Sequence, residues 1–418
     1  MHFFSYKGSE LYAEDVPVKA LTEKYGTPLY VYSYKTIVRH YKAYDEAYGA
    51  FPHVICFALK ANTNGSLLRI LAKHGGGADI VSGGELFRAL RAGIPADKIV
   101  YAGVGKTEAE IRFALRSNIL MFNVESEDEL REIDRIAGLM KKKAPVALRI
   151  NPDIDPGTHP YISTGMREHK FGISIEQALE NYRLASGLKN IRVIGVQKHI
   201  GSQITEIAPF VDAMKRILVL LDDLRGQGFQ IRYLDIGGGL GIPYGDEKPP
   251  APAELAKKLL LLLNGRNVTL IMEPGRSIVG NAGVLLTRTL YIKKGVGKEF
   301  VIVDAGMNDL MRPSLYDAYH HIIPVIKKKR TKITADIVGP ICESGDFLAR
   351  GRTIERVVRG EYLCVMSAGA YGMSMSSNYN SRPTVAEVLV NGRSHSLIRK
   401  RGTYVDLVKD EILPGFLK

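Results

Sequence analysis

Residues 53–74, HVICFALKANTNGSLLRILAKH, contain a short apolar strand, a polar loop and an amphipathic helix in succession. The same succession recurs from about residue 35 to residue 283, in about eight units. Strands that alternate with helices predict a parallel sheet, and about eight such units predict an α/β fold with a closed, TIM-like (β/α)8 barrel. The predicted strands are His53–Leu59, Ala78–Val81, Ile99–Ala102, Leu120–Val124, Val146–Ile150, Val193–Ile200, Tyr233–Ile236 and Leu270–Glu273.

The pattern changes after about residue 284, where short strand-like runs separated by turns replace the strand–helix units. Such runs predict a mostly antiparallel β domain, either a sandwich or a barrel. Residues 1–34 contain similar pieces, for example Leu29-Tyr30-Val31-Tyr32. We expect them to complete the second domain, which then consists of residues 1–34 and 284–418, with a barrel of residues 35–283 inserted between them.

Composition limits the classes of function. The chain has 418 residues, of which 45% are hydrophobic and 24% are charged, as in soluble globular proteins. No apolar stretch is long enough to span a membrane, and the N-terminus does not resemble a signal peptide. The three cysteines, Cys56, Cys342 and Cys364, do not suggest a disulfide framework, so we expect a cytoplasmic protein. The net charge of +13 is dispersed and lacks interleaved aromatics, which predicts a site for anionic small molecules rather than for nucleic acid.

Unusual polar residues follow several predicted strands. Lys60 follows the first strand, His199 ends the sixth, and Glu273 ends the eighth. The active site of a barrel lies at the C-terminal ends of its strands, so these side chains are expected on one face. A lysine there can form a Schiff base, since a buried or cation-flanked amine can act as a nucleophile. Taken alone, His199 is equally compatible with a core histidine, and Glu273 with a partner for a helix N-terminus.

Glycine-bearing loops follow the seventh and eighth strands, at 237–241 and 273–277. Barrel enzymes often bind phosphate at these loops, because glycine lets backbone N–H groups approach the anion. A phosphate site combined with a Schiff-base lysine, a flat histidine and a carboxylate predicts pyridoxal phosphate. In this interpretation, Glu273 keeps the pyridine nitrogen protonated, and no metal site is expected.

The chain resembles the diaminopimelate decarboxylase family of fold-type-III, alanine-racemase-like pyridoxal phosphate enzymes. The similar segments follow the family's order and span nearly the whole chain. They are residues 57–62 (FALKAN), 159–165 (HPYISTG), 170–173 (KFGI), 199–203 (HIGSQ), 237–239 (GGG), 273–277 (EPGRS), 312–316 (RPSLY), 339–346 (GPICESGD) and 369–372 (GAYG). One departure is Gln197-Lys198, where smaller or apolar residues are expected.

The resemblance implies a role for each matching residue. Lys60 forms the internal aldimine, and Cys342 is the acid that protonates the carbanion after CO2 leaves. The implied cofactor-binding residues are Lys60, His199, Ser202, Gly238, Gly239, Glu273, Gly275, Arg276 and Tyr371. The implied substrate-binding residues are Arg276, Arg312, Tyr316, Glu343 and Tyr371. Family members are homodimers with shared active sites, so Cys342 and Glu343 are implied to serve the neighbouring subunit.

The implied reaction is the decarboxylation of meso-2,6-diaminopimelate to L-lysine and CO2, the last step of lysine biosynthesis. Two arginines suit a substrate with a distal carboxylate, because guanidinium groups bind carboxylates bidentately. The glycine and proline content of Asp153–Met166 permits a mobile lid over the substrate.

Three alternatives stay open at this stage. The first is a related decarboxylase that acts on arginine, ornithine or carboxynorspermidine, although ornithine enzymes have aspartate where this chain has Glu343. The second is an alanine racemase, in which arginine rather than a residue such as Glu273 faces the pyridine nitrogen. The third is a non-catalytic cofactor-binding protein, which is disfavoured because Lys60 and Cys342 are both present.

Overall fold

The computed structural model describes residues 2–155 and 170–417. The segment 159–165 and most of the Asp153–Met166 loop lie outside these described residues. The chain divides into two compact units. We call them the barrel unit, Val38–Ile278, and the β unit, Met1–Ile37 with Val279–Lys418.

The strands and helices are numbered in chain order. The strands are β1 (Phe4–Lys7), β2 (Glu10–Ala13), β3 (Val16–Pro17), β4 (Leu29–Ser33), β5 (His53–Ala58), β6 (Gly77–Ile80), β7 (Ile99–Tyr101), β8 (Met121–Val124), β9 (Ala144–Asn151), β10 (Ile173–Ser174), β11 (Ile191–Gln197), β12 (Tyr233–Asp235), β13 (Thr269–Met272), β14 (Gly283–Lys294), β15 (Glu299–Val303), β16 (Ile322–Pro324), β17 (Lys332–Val338), β18 (Phe347–Glu355), β19 (Tyr362–Val365), β20 (Ala386–Asn391) and β21 (Ser394–Arg399). The helices are α1 (Val18–Tyr25), α2 (Tyr34–Tyr48), α3 (Gly65–Lys73), α4 (Gly83–Arg91), α5 (Glu108–Ser117), α6 (Glu127–Leu139), α7 (Ala178–Gly187), α8 (Ala208–Gly226), α9 (Pro252–Leu263), α10 (Arg276–Val279), α11 (Arg312–Tyr316) and α12 (Tyr404–Val408). Among the described residues, no helix combines the length and the hydropathy that a bilayer crossing requires.

The barrel is a closed parallel sheet. Its strands follow the order β5-β6-β7-β8-β9-β11-β12-β13, and β13 pairs in parallel with β5, with Leu270 opposite His53. Each predicted strand is present, although several end earlier than expected: β11 ends at Gln197 and β13 ends at Met272. The prediction of a (β/α)8 barrel is therefore confirmed, and His199 and Glu273 lie just beyond their strands.

Side-chain caps start several barrel helices directly after the strands. The hydroxyl of Ser82 accepts from the backbone N–H of Glu85 at the start of α4, and Ser126 does the same for Glu129 at the start of α6. Thr107 forms a reciprocal capping box with Glu110 in α5. Each cap satisfies an otherwise unpaired N–H group and contributes about 1 kcal/mol. These caps fix the loops on the face of the barrel where the strands end.

The β unit contains a sheet in the order β18-β17-β15-β14-β4-β20-β21, and a small sheet of β1, β2 and β3. Strand β4, from the first segment of the chain, pairs antiparallel with β14 and parallel with β20. Most other pairs are antiparallel, as predicted, but β15 and β17 are parallel. Residues from both chain segments, including Leu29, Val31, Leu286 and Val388, form one buried apolar core.

Candidate active site

Lys60 lies in a short helical turn, Leu59–Ala61, directly after β5. Its Nζ donates to Oδ2 of Asp79 at 3.1 Å, and Asp79 is a buried residue of the neighbouring strand β6. The Lys60 side chain is 41% exposed, so the amine is accessible at the end of β5. A carboxylate therefore faces this amine, in place of the buried or cation-flanked setting that the sequence suggested, because the next parallel strand directs Asp79 to the same face.

A buried polar layer lies between β8, β11, β12 and β13. The side-chain amide of Asn123 donates to Oδ2 of Asp235 at 3.1 Å and to Oε1 of Glu273 at 3.2 Å. Gln197 donates to Oε2 of Glu273 at 3.4 Å. Because the same amide nitrogen donates to both, the carboxyl groups of Asp235 and Glu273 lie close together. Burial raises the pKa of Glu273 well above its usual range, and the nearby carboxylates of Asp235 and Asp79 raise that pKa further.

The glycine run after β12 is closely packed against backbone. A Cβ atom on Gly238 would lie 2.2 Å from the carbonyl oxygen of Glu273, and one on Gly239 would lie 2.5 Å from that of Gly201. Gly239 also has φ +113°, a backbone conformation that residues other than glycine rarely adopt. Glycine is therefore needed here for the close approach of the loop to the neighbouring backbone, and the N–H groups of Gly237 and Gly238 donate to Asp235 and His199.

His199 lies two residues beyond β11, and its ring is partly buried. The backbone N–H of Gly238 donates to Nδ1 of His199 at 3.3 Å, so Nδ1 carries a lone pair. Burial lowers the pKa of His199 well below its usual value, and the cationic side chains of Arg149, Lys60 and Lys198 lower it further. His199 is therefore a neutral, flat ring beside the glycine loop, as stacking on an aromatic group requires.

Arg276 is buried and starts α10 just after Gly275. Its Nη1 donates to the Tyr244 hydroxyl at 2.5 Å, and its Nη2 donates to the Ser202 hydroxyl at 3.1 Å. Gly275 packs closely against the end of β5 and the turn that follows it, because a Cβ on it would lie 3.1 Å from the Cβ atoms of Ala58 and Ala61. The structure thus brings Ser202, Gly275 and Arg276 together in the barrel unit.

In the β unit, an exposed loop carries Cys342 and Glu343. Buried Asp346 supports this loop from below: its Oδ2 accepts from the N–H of Ile341 at 2.7 Å, and its Oδ1 accepts from the N–H of Met307 at 2.7 Å. Asn380 accepts from the N–H of Cys342 at 2.8 Å. The Cys342 thiol is therefore accessible on a loop whose backbone is fixed by hydrogen bonds.

Three further predicted residues lie in the β unit. Arg312 begins α11, is buried, and contacts Nε2 of His320 through Nη1 at 2.8 Å. Tyr316 ends the same helix and is partly buried. Tyr371 has φ +55°, a left-handed conformation that is uncommon for residues other than glycine, asparagine and aspartate.

The sequence predicted most of these residues but not the groups that support them. Asn123, Asp235 and Asp346 were not singled out, although each is a polar residue in or beside an apolar run. Side chains of a strand point alternately to its two faces, so a polar residue in a buried strand can face the barrel interior while its two neighbours face outward. An amine at Lys60, a glycine loop without side chains and a buried carboxyl group at Glu273 together suit a ligand with an aldehyde, a phosphate and a basic ring nitrogen, as in pyridoxal phosphate.

Comparison with known proteins agrees with this geometry. The family model "Pyridoxal-dependent decarboxylase, pyridoxal binding domain" matches residues 34–280. A diaminopimelate decarboxylase of Aquifex aeolicus is 55% identical over 412 residues, covering 98% of this chain and 97% of the relative. One of Haemophilus influenzae is 51% identical and covers 97% and 98%. The crystal structure of the M. jannaschii diaminopimelate decarboxylase in co-complex with L-lysine has a TM-score of 0.94 and 40% identity over 99% of both chains. The chain therefore belongs to the diaminopimelate decarboxylase family of pyridoxal-dependent decarboxylases.

Proposed function

We propose that this protein decarboxylates meso-2,6-diaminopimelate to L-lysine and CO2 with pyridoxal phosphate, as the last step of lysine biosynthesis. The observation that carries the proposal is the full-length identity to diaminopimelate decarboxylases, 55% in one relative, in a chain that retains Lys60 and Cys342. The relative whose structure holds L-lysine supports the identity of the product.

The cofactor is assigned to the barrel unit and to Tyr371 of the β unit. The proposed cofactor-binding residues are Lys60, His199, Ser202, Gly238, Gly239, Glu273, Gly275, Arg276 and Tyr371. Lys60 is the anchoring amine, and Asp79, at 3.1 Å from it, orients its side chain. When bound, pyridoxal phosphate supplies an electron sink for the pair released as the carbon–carboxylate bond breaks. Glu273 would hold a proton at the ring nitrogen of the bound cofactor, and the neutral ring of His199 would stack on its aromatic ring.

The β unit supplies substrate-binding and proton-donating groups. We assign the distal carboxylate of the substrate to Arg276, Arg312 and Tyr316, and its distal amine to Glu343. Tyr371 would contact both the substrate and the cofactor phosphate. The Cys342 thiol donates a proton to the carbon that has lost CO2. The exposure of Cys342 and its fixed loop support that role, because a proton donor must reach the reacting carbon in a constant geometry.

The test is lysine formation from meso-diaminopimelate by purified, cofactor-loaded protein, with arginine and ornithine as parallel substrates. We expect lysine from diaminopimelate and no turnover of the other two. Cys342→Ala is expected to keep the cofactor absorbance but to lose roughly 100-fold or more in rate, since positioned acid–base groups contribute that much. Turnover of arginine or ornithine instead of diaminopimelate would contradict the assigned substrate, and an unchanged rate in Cys342→Ala would remove the thiol from its role.

Arg312→Lys is a second variant for the same assay. It keeps the positive charge but loses the bidentate geometry, so the KM for diaminopimelate should rise by roughly ten- to hundredfold, which corresponds to about 1.5–3 kcal/mol. Arg330→Lys is a matched control, because Arg330 is an arginine of the same unit that pairs with Glu361. An equal KM in both variants would contradict the assignment of Arg312.

We also infer that the protein is a homodimer in a reducing compartment, the cytoplasm. An apolar C-terminal segment, residues 404–417, supports the dimer: Tyr404 is 80% exposed, Ile412 89% and Phe416 86%. Exposed apolar clusters of this kind mark interaction sites. The compartment is supported by the exposed thiol of Cys342, which must stay reduced to donate a proton.

A further inference from the structure

Asp235 is a buried residue of the barrel that the proposed reaction does not use. It ends β12, separated from the glycine run by Ile236, and is fully inaccessible to solvent. Its Oδ1 accepts the backbone N–H of Gly237 at 2.9 Å, which ties the carboxyl group to the start of the glycine loop. Its Oδ2 accepts one N–H of the Asn123 amide, and the same amide also donates to Glu273. One amide group therefore holds the two carboxyl groups side by side.

Two buried carboxyl groups that accept from the same amide nitrogen do not both ionise, because like charges repel strongly where water is excluded. We propose that Asp235 and Glu273 form a carboxyl pair that holds one proton in the cofactor-free protein and delivers it to the pyridine nitrogen when pyridoxal phosphate binds. This inference rests on the proposed cofactor use and extends it to Asp235, which acts as a positioning residue through Glu273.

The contacts indicate which member of the pair carries the proton. Asp235 accepts from a rigid backbone N–H at 2.9 Å and from Asn123 at 3.1 Å, and such donors stabilise a carboxylate. Among the described residues, the hydrogen bonds to the Glu273 carboxyl group are longer side-chain contacts, from Asn123 at 3.2 Å and Gln197 at 3.4 Å. The proton therefore lies on Glu273. Burial raises the pKa of both groups, and Asp235 raises that of Glu273 further.

The surrounding charged groups keep the number of protons on the Asp235–Glu273 pair close to one. Asp79 in β6 adds negative charge, while Lys60 after β5 opposes it. Asp235 opposes the effect of burial on Lys198 by raising its pKa. Burial raises the pKa of the Cys56 thiol in β5, and the carboxyl groups of Asp235, Glu273 and Asp79 raise it further. When the cofactor binds, the proton leaves a Glu273 oxygen and bonds to the ring nitrogen. Two carboxylates and one pyridinium result, so the total charge does not change.

The proposal predicts how many protons the protein takes up on binding its cofactor. Calorimetry of pyridoxal phosphate binding to the cofactor-free protein, at about pH 8 in buffers of different ionisation enthalpy, measures that number. In wild type, the ring nitrogen receives a stored proton. In Asp235→Asn, burial still favours a protonated Glu273, but the Asp235 charge that adds to this effect is gone, so a larger share of the ring nitrogen's proton must come from solvent. We expect proton uptake to be higher in Asp235→Asn by up to about one proton per chain.

A cofactor analogue provides the control. Carbocyclic pyridoxal phosphate, with C–H in place of the ring nitrogen, cannot accept the proton, so wild type and Asp235→Asn should then take up equal amounts. Equal uptake with pyridoxal phosphate itself would overturn the proposal, and so would a difference that persists with the analogue. A wild-type protein that develops no Lys60-dependent cofactor absorbance would instead overturn the proposed function, which separates the two failures.

A second measurement needs no change at Asp235. Infrared difference spectra of the wild-type protein should show that the C=O stretch of a protonated carboxyl group disappears when pyridoxal phosphate binds, and that it persists when the carbocyclic analogue binds. The band should be absent in Glu273→Gln, which forms the same amide contacts but has no carboxyl proton. A cofactor-free wild type without this band, or a band that survives binding of pyridoxal phosphate, would overturn the shared proton.

Discussion

At the scale of single residues, His320 fixes the arginine that is assigned to the substrate. Its ring is fully buried, with Nδ1 at 2.8 Å from the carbonyl oxygen of Met366 and Nε2 at 2.8 Å from Nη1 of Arg312. The carbonyl can only accept, so Nδ1 carries the hydrogen. Nε2 then has a lone pair and accepts from Arg312. A neutral His320 thus sets the direction of the guanidinium group.

We therefore expect His320→Leu to raise the KM for diaminopimelate by roughly two- to tenfold, the value of one lost hydrogen bond, with little change in kcat. His320→Gln should recover most of the affinity, because its amide oxygen can occupy the position of Nε2. Steady-state kinetics of both variants would test this. Equal KM values for the leucine and glutamine variants would contradict the role, since a purely steric effect does not distinguish acceptors from apolar groups.

The residues that carry chemistry were easier to predict than those that support them. Lys60, Glu273 and the glycine run occupy strand ends, which strand–helix alternation alone brings to one face of a barrel. The proximity of Asp235 to Glu273 depends on how two neighbouring strands are staggered, and strand periodicity does not contain that information. The contact of His320 with Arg312 depends on a loop that packs back on a short helix, which leaves no periodic signal.

At the scale of elements, strand β11 and helix α8 together bury a lysine. Lys198 follows β11 between the inward-facing residues Gln197 and His199, so its side chain points outward, and its Nζ lies 5.6 Å from the ring of Phe210 in α8. Among the described residues this Nζ has no hydrogen-bond partner. Burial lowers the pKa of Lys198 from its usual 10.5 to about 8. The departure from the family pattern at Lys198 therefore costs stability, because it buries a charged amine. The departure at Gln197 supplies a hydrogen-bond donor to Glu273.

The sign of the effect on stability follows from proton binding. Below about pH 8 both folded and unfolded chains carry the Lys198 proton, and the folded chain bears the full cost of burying it. Between about pH 8 and 10.5 the unfolded chain binds more protons, so stability rises with pH, and above 10.5 neither state is charged. Lys198→Met should therefore stabilise the protein by about 3 kcal/mol near neutral pH.

Denaturant midpoints of wild type and Lys198→Met, measured at about pH 7 and about pH 10, test this prediction. The difference between the two proteins should be large at the lower pH and should shrink at the higher pH. Lys215→Met is the matched control, because Lys215 lies on α8 with a side chain that is 60% exposed. A gain of equal size at both pH values would attribute the effect to packing against Phe210 rather than to charge.

Element types were predictable, while some pairings were not. Eight alternating units identified the barrel because parallel neighbours joined by helices have few other closed arrangements. The parallel pairing of β15 with β17 in the β unit could not be predicted from runs of short strands, since alternation reports which residues share a face and not which strand lies alongside. Strand ends were uncertain by one to three residues, which places His199 and Glu273 in loops.

At the scale of the whole molecule, the proposed homodimer makes a prediction about mixed chains. If Cys342 of one chain serves the Lys60 of its partner, a dimer of one Lys60→Ala chain and one Cys342→Ala chain has one site with both groups intact and one site with neither. Each variant alone has no complete site. Random exchange of the two variants in equal amounts produces heterodimers in half of the molecules, so activity should recover to roughly a quarter of the wild-type value.

The measurement is lysine formation after the two inactive variants are mixed under conditions that allow subunit exchange. A mixture that stays inactive, although exchange is verified with differently tagged chains, would show that Lys60 and Cys342 act within one chain. The exposed C-terminal segment supplies a control: serine at Ile412 and Phe416 removes much of its apolar surface. If that segment contacts the second copy, the double substitution should lower both the dimer fraction and the recovered activity. Both should fall together, because a complete site between two variant chains exists only in the dimer.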